Sequence, residues 1–521
     1  MPEYKNLDQC AAFKKLQQAQ PVLVKDILTP DRVREYQACA GAGLTYNYAA
    51  KAVDNDILSS LADLAREQEL IQKYICVLNG EIMNTGENRK VLHHLCRGQL
   101  GQDIVHEGKN LRHFYTQQQQ RIADFSDKVH KGEIKGSTGK AFDTVVQIGI
   151  GGSDLGPRAL YLALENLYAP KMNVHFISNV DPDDANAVLA RINLETSLFI
   201  VVSKSGTTQE TLTNYHFVID KARTRNISGF NVHRHIIAVT SQTSPMAQNS
   251  DFAVSFFIDD FIGGRYSSTS AVGGAVLSLA FGPEIFDQIL QGAHEADKQA
   301  LNEDIRQNAA LLDALIGVYE RNILGYRCTA VLPYSQALSR FPAHLQQMDM
   351  ESNGKSVNRQ GGNVAYATGP VIFGEAGTNG QHSFYQLLHQ GTDIIPLQFI
   401  GFKDAQISAD VQYEGSSSQV KLNANLLAQI LAFALGKDDS NPNKNFAGER
   451  PSSLIYAQKL DAKTLGALLA HFENKVMFQG FLWNINSFDQ EGVQLGKALT
   501  NKILNKQTDD LCNKFMSLLD L

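Results

Sequence analysis

The chain has 521 residues, 43% hydrophobic and 19% charged, with 47 Lys and Arg against 54 Asp and Glu for a formal net charge of −7. That is enough apolar sequence for a large core and too little charge for a disordered regulator. With no global excess of positive charge there is no surface for collecting nucleic acid or an anionic membrane, so an anionic ligand must be caught by a local site.

Residues 1–115 read as helix throughout. In DILSSLADLAREQELIQKY, Leu58, Leu61, Leu64 and Leu70 recur on one face. From residue 142 the texture changes to short β-rich runs: TVVQIGI at Thr144, NVHFISN at Asn173, SLFIVVS at Ser197, HIIAVT at His235 and AVSFFI at Ala253. Near-continuous Val, Ile and Phe runs separated by helix-length stretches predict a parallel sheet of about five strands with covering helices. The glycine-interrupted AVGGAVLSLAFGP from Ala271 is too short for a membrane span and reads as a buried helix. Beyond it, CTAVLPY at Cys328, PVIFGE at Pro370 and DIIPLQFIGF at Asp393 predict a second sheet. The stretch from Gly436 to Pro451 reads as an exposed loop, after which helices resume to the end.

The six cysteines are scattered without a C-x-x-C pair, which fits neither a disulfide framework nor a zinc knuckle. Acidic residues stand where a signal peptide needs an apolar run, so a cytoplasmic protein is expected.

Two loops are candidate anion sites. Directly after the first strand of that sheet, GIGGSDLGPRAL opens a tight turn at Gly149, Gly151 and Gly152, and Ser153-Asp154 are placed to cap the helix that follows. As a dinucleotide fingerprint it fails, because the third glycine of G-x-G-x-x-G falls on Asp154. In VVSKSGTTQET a strand runs into Ser203, Lys204, Ser205, Thr207 and Thr208 before a helix. Hydroxyls and free amides converging at the carboxyl end of a parallel strand suit a phosphate monoester. The same loop also reads as a heavily capped turn without a ligand.

Four further segments carry polar residues in small or apolar surroundings, around Arg265, Glu351, His382 and Lys497. Taken singly, each has an ordinary use as a loop arginine, a helix-end carboxylate, a cap-region histidine or an exposed helical lysine. Together with a phosphate site they supply a base, an imidazole, a fixed cation and an amine, which matches proton abstraction beside the carbonyl of a sugar phosphate. The histidines are dispersed, and the H-x-H of His233 and His235 reads as structural, so a metal-free enediol route is favoured and no metal or cofactor is expected.

GIGGSDLGPRAL, SKSGTTQET, GGRYS, MDMESNGK, GTNGQHSFYQLLHQGT and FDQEGVQLGK occur in that order and together resemble the motifs of the glucose-6-phosphate isomerase (phosphoglucose isomerase) family. The resemblance covers essentially the whole chain. It implies an α/β protein of two α/β/α sandwiches of the sugar-isomerase type with parallel-sheet cores and N- and C-terminal helical wrapping. The boundaries expected are a helical segment 1–114 packing on the larger domain, a smaller sandwich 115–280, and a larger sandwich 281–521 with a helical tail. By the same resemblance Glu351 is the base that shuttles a proton between C1 and C2, Arg265 steadies the enediolate, and His382 and Lys497 open the sugar ring. Ser203, Lys204, Ser205, Thr207 and Thr208 match the phosphate loop, Gly152 and Ser153 the loop beside it, Gln347 and Gln490 sugar-contacting glutamines, and Glu210 a carboxylate near the histidine. The family's histidine segment reaches the site from the partner subunit, which implies a homodimer.

The chain departs from the usual pattern at Ser268 and Thr269, where relatives carry two large apolar residues, which puts the packing behind the Arg265 loop in question. Two other readings stay open here: a dual phosphoglucose/phosphomannose isomerase and a phosphosugar sensor without catalysis.

Overall fold

The computed structural model describes residues 2–521. Its first sheet has five strands, all parallel, in the spatial order Val254–Ile258, Ile236–Ser241, Ser197–Val202, Thr144–Ile148, Asn173–Ile177. The three central strands are buried along their whole length, as their unbroken apolar sequences require of strands covered on both faces. All five coincide with the runs read from the sequence.

The second sheet has six strands in the order Gln37–Gly41, Leu44–Asn47, Ser452–Ala457, Leu397–Phe402, Cys328–Pro333, Val371–Phe373. The last four run parallel, and Leu44–Asn47 joins antiparallel to Ser452–Ala457. Two expectations need correcting. The opening region is not all helix: QACAG and LTYN form a hairpin across Gly41, Ala42 and Gly43, which take φ values of 92°, 48° and 75°. The first is five residues with two alanines and the second only four residues long, so they carry little β signal. Nor do helices run uninterrupted after residue 451, because SSLIYA is a strand whose first two positions are serines, both buried.

The helix read from Asp56 is two helices, Asn55–Glu67 and Leu70–Leu78, broken at Glu69 with φ 49°. Asp54 caps the first by accepting from the Ile57 amide at 2.9 Å. Leu58, Leu61, Leu64 and Leu70 are all buried. The helix Ala271–Phe281 is buried at every residue, as its composition predicts, and ends at Gly282 with φ 104° before Pro283 starts the next helix. The long helix Ala462–Leu482 is buried almost throughout and packs chiefly against Pro283–Gln299 and Ala309–Asn322. No described helix is long and apolar enough to cross a membrane.

Candidate active site

Three loops leave the carboxyl ends of strands in the first sheet, the position where open parallel sheets bind ligands. After Val202, Ser203 Oγ lies 2.9 Å from Thr208 Oγ1 and accepts from the Gly206 amide at 3.1 Å. Ser205 Oγ accepts from both the amide and the hydroxyl of Thr207, at 3.2 and 2.9 Å. Gly206 takes φ 68°, a conformation that favours glycine. Thr208 stands at the N-cap of the helix Gln209–Arg225 without using its side chain as the cap, so the first-turn amides remain available. Lys204 reaches inward, its Nζ donating to the Ile262 carbonyl at 3.3 Å, and burial lowers its pKa. The hydroxyls, amides and ammonium expected of a phosphate cradle are therefore gathered within six residues.

After Ile148, Gly152 packs backbone to backbone against Gly264, where a Cβ on Gly152 would collide. This close approach joins the glycine turn to the loop bearing Arg265. Ser153 is half-buried. Asp154 does not cap the following helix as expected: its carboxylate instead accepts from Arg158 Nε at 2.8 Å. Gln347 extends its amide nitrogen toward Gly151, and its Oε1 has no hydrogen-bond partner among the described residues.

Arg265 is 1% exposed, which removes the reading of a surface loop arginine. Its Nε donates to Ser352 Oγ at 2.6 Å, its Nη2 to the Ser487 and Asp489 carbonyls at 2.6 and 2.9 Å, and its Nη1 to Gln490 Oε1 at 3.3 Å. The guanidinium is fixed by donors spent on its neighbours. Glu351 Oε2 lies 3.4 Å from Arg265 Nη1 yet accepts no hydrogen bond among the described residues. A carboxylate beside a fixed cation, with an oxygen left unoccupied, can take a proton while the cation offsets developing negative charge.

Sequence reading missed the supports of this pair. Lys355 Nζ donates to the Glu351 and Ser352 carbonyls at 2.8 and 2.9 Å and lies 3.3 Å from Asp489 Oδ1. Ser352 and Lys355 fall within the MDMESNGK motif and Asp489 within FDQEGVQLGK, whereas Ser487 has no local signal. The departure at Ser268 and Thr269 is also explained. Both are buried, Thr269 Oγ1 accepts from Arg97 Nε at 3.1 Å, and Ser268 Oγ abuts Gly156, beside His344. Arg97 in turn pairs with Asp297 at 3.1 Å and with Glu473, so the Arg265 loop is anchored on a buried ionic cluster. Burial pushes the Glu473 carboxyl up to about 7 despite the guanidinium.

Two predicted groups stand apart from this cluster. His382 is exposed and lines an open polar hollow of about 580 Å³ with Gln381, Asp410, Lys421 and Asn425. Lys497 is exposed on the helix Gln494–Leu504, which buries no residue. Glu210 is half-buried in the first turn of the helix that follows the 203–208 loop. His235 is structural as read, its Nδ1 2.9 Å from the Ser197 carbonyl and its Nε2 accepting from the Ser137 amide at 2.9 Å. Among the described residues no three or more His, Cys, Asp or Glu side chains gather as a metal ion would require.

Residues 47–517 match the family model of phosphoglucose isomerase. The chain belongs to that family. A glucose-6-phosphate isomerase of Treponema denticola is 61% identical over 526 residues, covering 99% of this chain and 100% of its own. One from Borreliella afzelii is 49% identical, covering 98% and 97%. Among solved structures, a glucose-6-phosphate isomerase from Chlamydia trachomatis superposes with a TM-score of 0.93 at 43% identity, covering 99% of each chain. The matched residues take in the whole first sheet, the four parallel strands of the second and every loop described above.

Proposed function

We propose that this chain is a glucose-6-phosphate isomerase that interconverts glucose 6-phosphate and fructose 6-phosphate. The observation that carries the reading is the Glu351–Arg265 pair, whose arginine segment is joined through the Lys204–Ile262 hydrogen bond to a hydroxyl-rich loop at the carboxyl edge of a parallel sheet. The family's activity, named for the relatives above, agrees with it.

Ser203, Ser205, Thr207 and Thr208, with Lys204 and the amides of the helix start, hold the phosphate, and Gly152 and Ser153 form the adjoining wall. Gln347 and Gln490 contact the sugar. His382 and Lys497 move protons at the ring oxygen and the C1 hydroxyl, opening the ring. Glu351 then removes the C2 proton of the open-chain aldose, and the electron pair left behind forms a cis-enediolate whose charge Arg265 offsets. The C2 hydroxyl proton passes to the C1 oxygen and the first proton returns to C1, giving the ketose, so no redox partner or cofactor takes part.

The reading includes a cytoplasmic homodimer in which His382 acts in the partner's site, with Glu210 near that histidine. The exposure of His382 away from Glu351 supports this, as does the C-terminal arm. There Leu495, Leu499, Leu511, Phe515 and Leu518 are all exposed, an apolar load that a monomer has no reason to carry. The two sheets are the cores of the two sandwiches, divided near residue 280.

The test is conversion of fructose 6-phosphate by purified protein, read through a coupled dehydrogenase, with mannose 6-phosphate in parallel. Turnover of the first substrate alone is expected. Comparable turnover of the second would establish dual specificity, and binding without turnover would establish a sensor. Ser268 and Thr269, whose departure from the family pattern leaves the dual reading open, are engaged with Gly156 and Arg97 behind the Arg265 loop.

A further inference from the structure

Behind the turn that carries Glu351 lie ionisable groups the proposed reaction does not use. Gln347–Glu351 is a single turn of π-helix, a geometry concentrated at functional sites. Positions two apart on such a turn point to nearly opposite faces. While Glu351 meets Arg265, Asp349 is turned into the core, where it is buried and its Oδ1 has no hydrogen-bond partner among the described residues.

Asp349, Gln398 and Lys475 together line two small cavities of about 20 and 10 Å³. The larger has polar walls and the volume of one water molecule, and Gln479, whose Oε1 also lacks a partner, borders it. The charged groups come from several elements. From Ala462–Leu482, Lys475 Nζ donates to Gln398 Oε1 at 3.0 Å and lies 3.3 Å from Asp313 Oδ2. From Ala309–Asn322 come Asp313, Glu320 and Arg321, with Lys51 paired to Glu320 at 2.9 Å and His471 3.1 Å from Asp313. Tyr326 and Cys328 close one side, and Asn353 supports Asp349 from its own helix. Asp313 Oδ2 also accepts from Gln398 Nε2 at 2.5 Å. The Lys475 ammonium thus faces two carboxyls, one well bonded and one not.

We propose that Asp349 is a positioning residue: its ionisation, balanced across the polar cavity by Lys475, sets the π-turn and so the reach of Glu351. This rests on the reading of Glu351 as the base. Ionised, Asp349 is drawn toward Lys475 and the turn is held. Protonated, it loses that attraction and the turn relaxes. Burial pushes its carboxyl up to about 6 against the pull of Lys475, so the change falls close to neutrality.

Asp349→Asn fixes the neutral form with nearly the same shape. In the full-length protein acting on fructose 6-phosphate, the variant's kcat is expected to be about tenfold lower at pH 8 with KM within about twofold. The wild-type to variant ratio should shrink toward unity by about pH 5. A ratio that stays constant with pH, as a packing defect would give, overturns the proposal. Lys475→Gln reads the same coupling independently: the midpoint of the acid limb of kcat should rise by about half a pH unit or more. An unmoved midpoint also overturns it. A wild-type protein inactive on hexose phosphates would instead sink the assignment of Glu351, a different failure from an active enzyme with a flat ratio.

Discussion

Arg265 Nε donates at 2.6 Å to the hydroxyl of Ser352, the residue that directly follows Glu351. Arg265 and Glu351 are thus tied through adjacent positions of one turn. A hydrogen bond to a charged group contributes about 1.5–3 kcal/mol, so Ser352→Ala should lower kcat about tenfold or more with little change in KM. Steady-state kinetics on the folded variant decide it: an unchanged kcat would mean that Arg265 is held by its carbonyl partners alone.

Glu351→Gln keeps the shape of the base and removes its proton affinity. Turnover should fall by about 10²–10⁴ while a non-reacting sugar phosphate binds with nearly unchanged affinity by calorimetry. Retained turnover would transfer the base role to another group.

In the phosphate loop, Ser205→Ala combined with Thr208→Ala removes hydroxyls that contact no proposed reacting carbon. KM should rise well beyond about tenfold with kcat less affected, and inorganic phosphate should inhibit the double variant less than the wild type. Equal inhibition would place the phosphate elsewhere.

If sites are shared between subunits, two inactive variants should rescue each other. Glu351→Gln and His382→Ala, denatured together and refolded as a mixture, form mixed dimers that each hold one intact site. About a quarter of wild-type activity should return. No recovery, from a mixture in which mixed dimers are shown to form, would place His382 with its own chain's Glu351.

His344 is fully buried, its pKa is lowered to about 4 by desolvation, and neither ring nitrogen has a hydrogen-bond partner among the described residues. The unfolded chain takes up this proton near pH 6.5, whereas the fold refuses it until about pH 4. Stability is therefore whole above about pH 6.5 and declines as pH falls toward 4. His344→Met should lose less melting temperature than wild type between about pH 7 and 5. Parallel losses in calorimetric scans would show that other groups govern acid unfolding.

The first sheet was legible because its strands are unbroken apolar runs, and the hydroxyl-rich loop after Val202 because its hydroxyls lie close together in sequence. The hairpin at 37–47 and the strand at 452–457 were not, since segments so short, or opening on small Ala and Ser residues, take their extended form from the strands they join. Glu351 and Arg265 could be picked out as chemistry in small surroundings, but Asp489 and Ser487 reach Arg265 only through the fold. His382 and Lys497 could be picked out in the same way, yet one isolated chain leaves both at its surface.

The pairing of Leu44–Asn47 with Ser452–Ala457 ties one end of the chain to the other. On a ribosome the first sheet has all its strands once residue 258 has emerged, whereas the opening hairpin must wait for almost the whole polypeptide before it finds its neighbour. Its exposed edge is meanwhile open to pairing with other chains. Truncation shortly before residue 452 should then cost yield through aggregation rather than merely lower activity, because the hairpin would have no strand to close against.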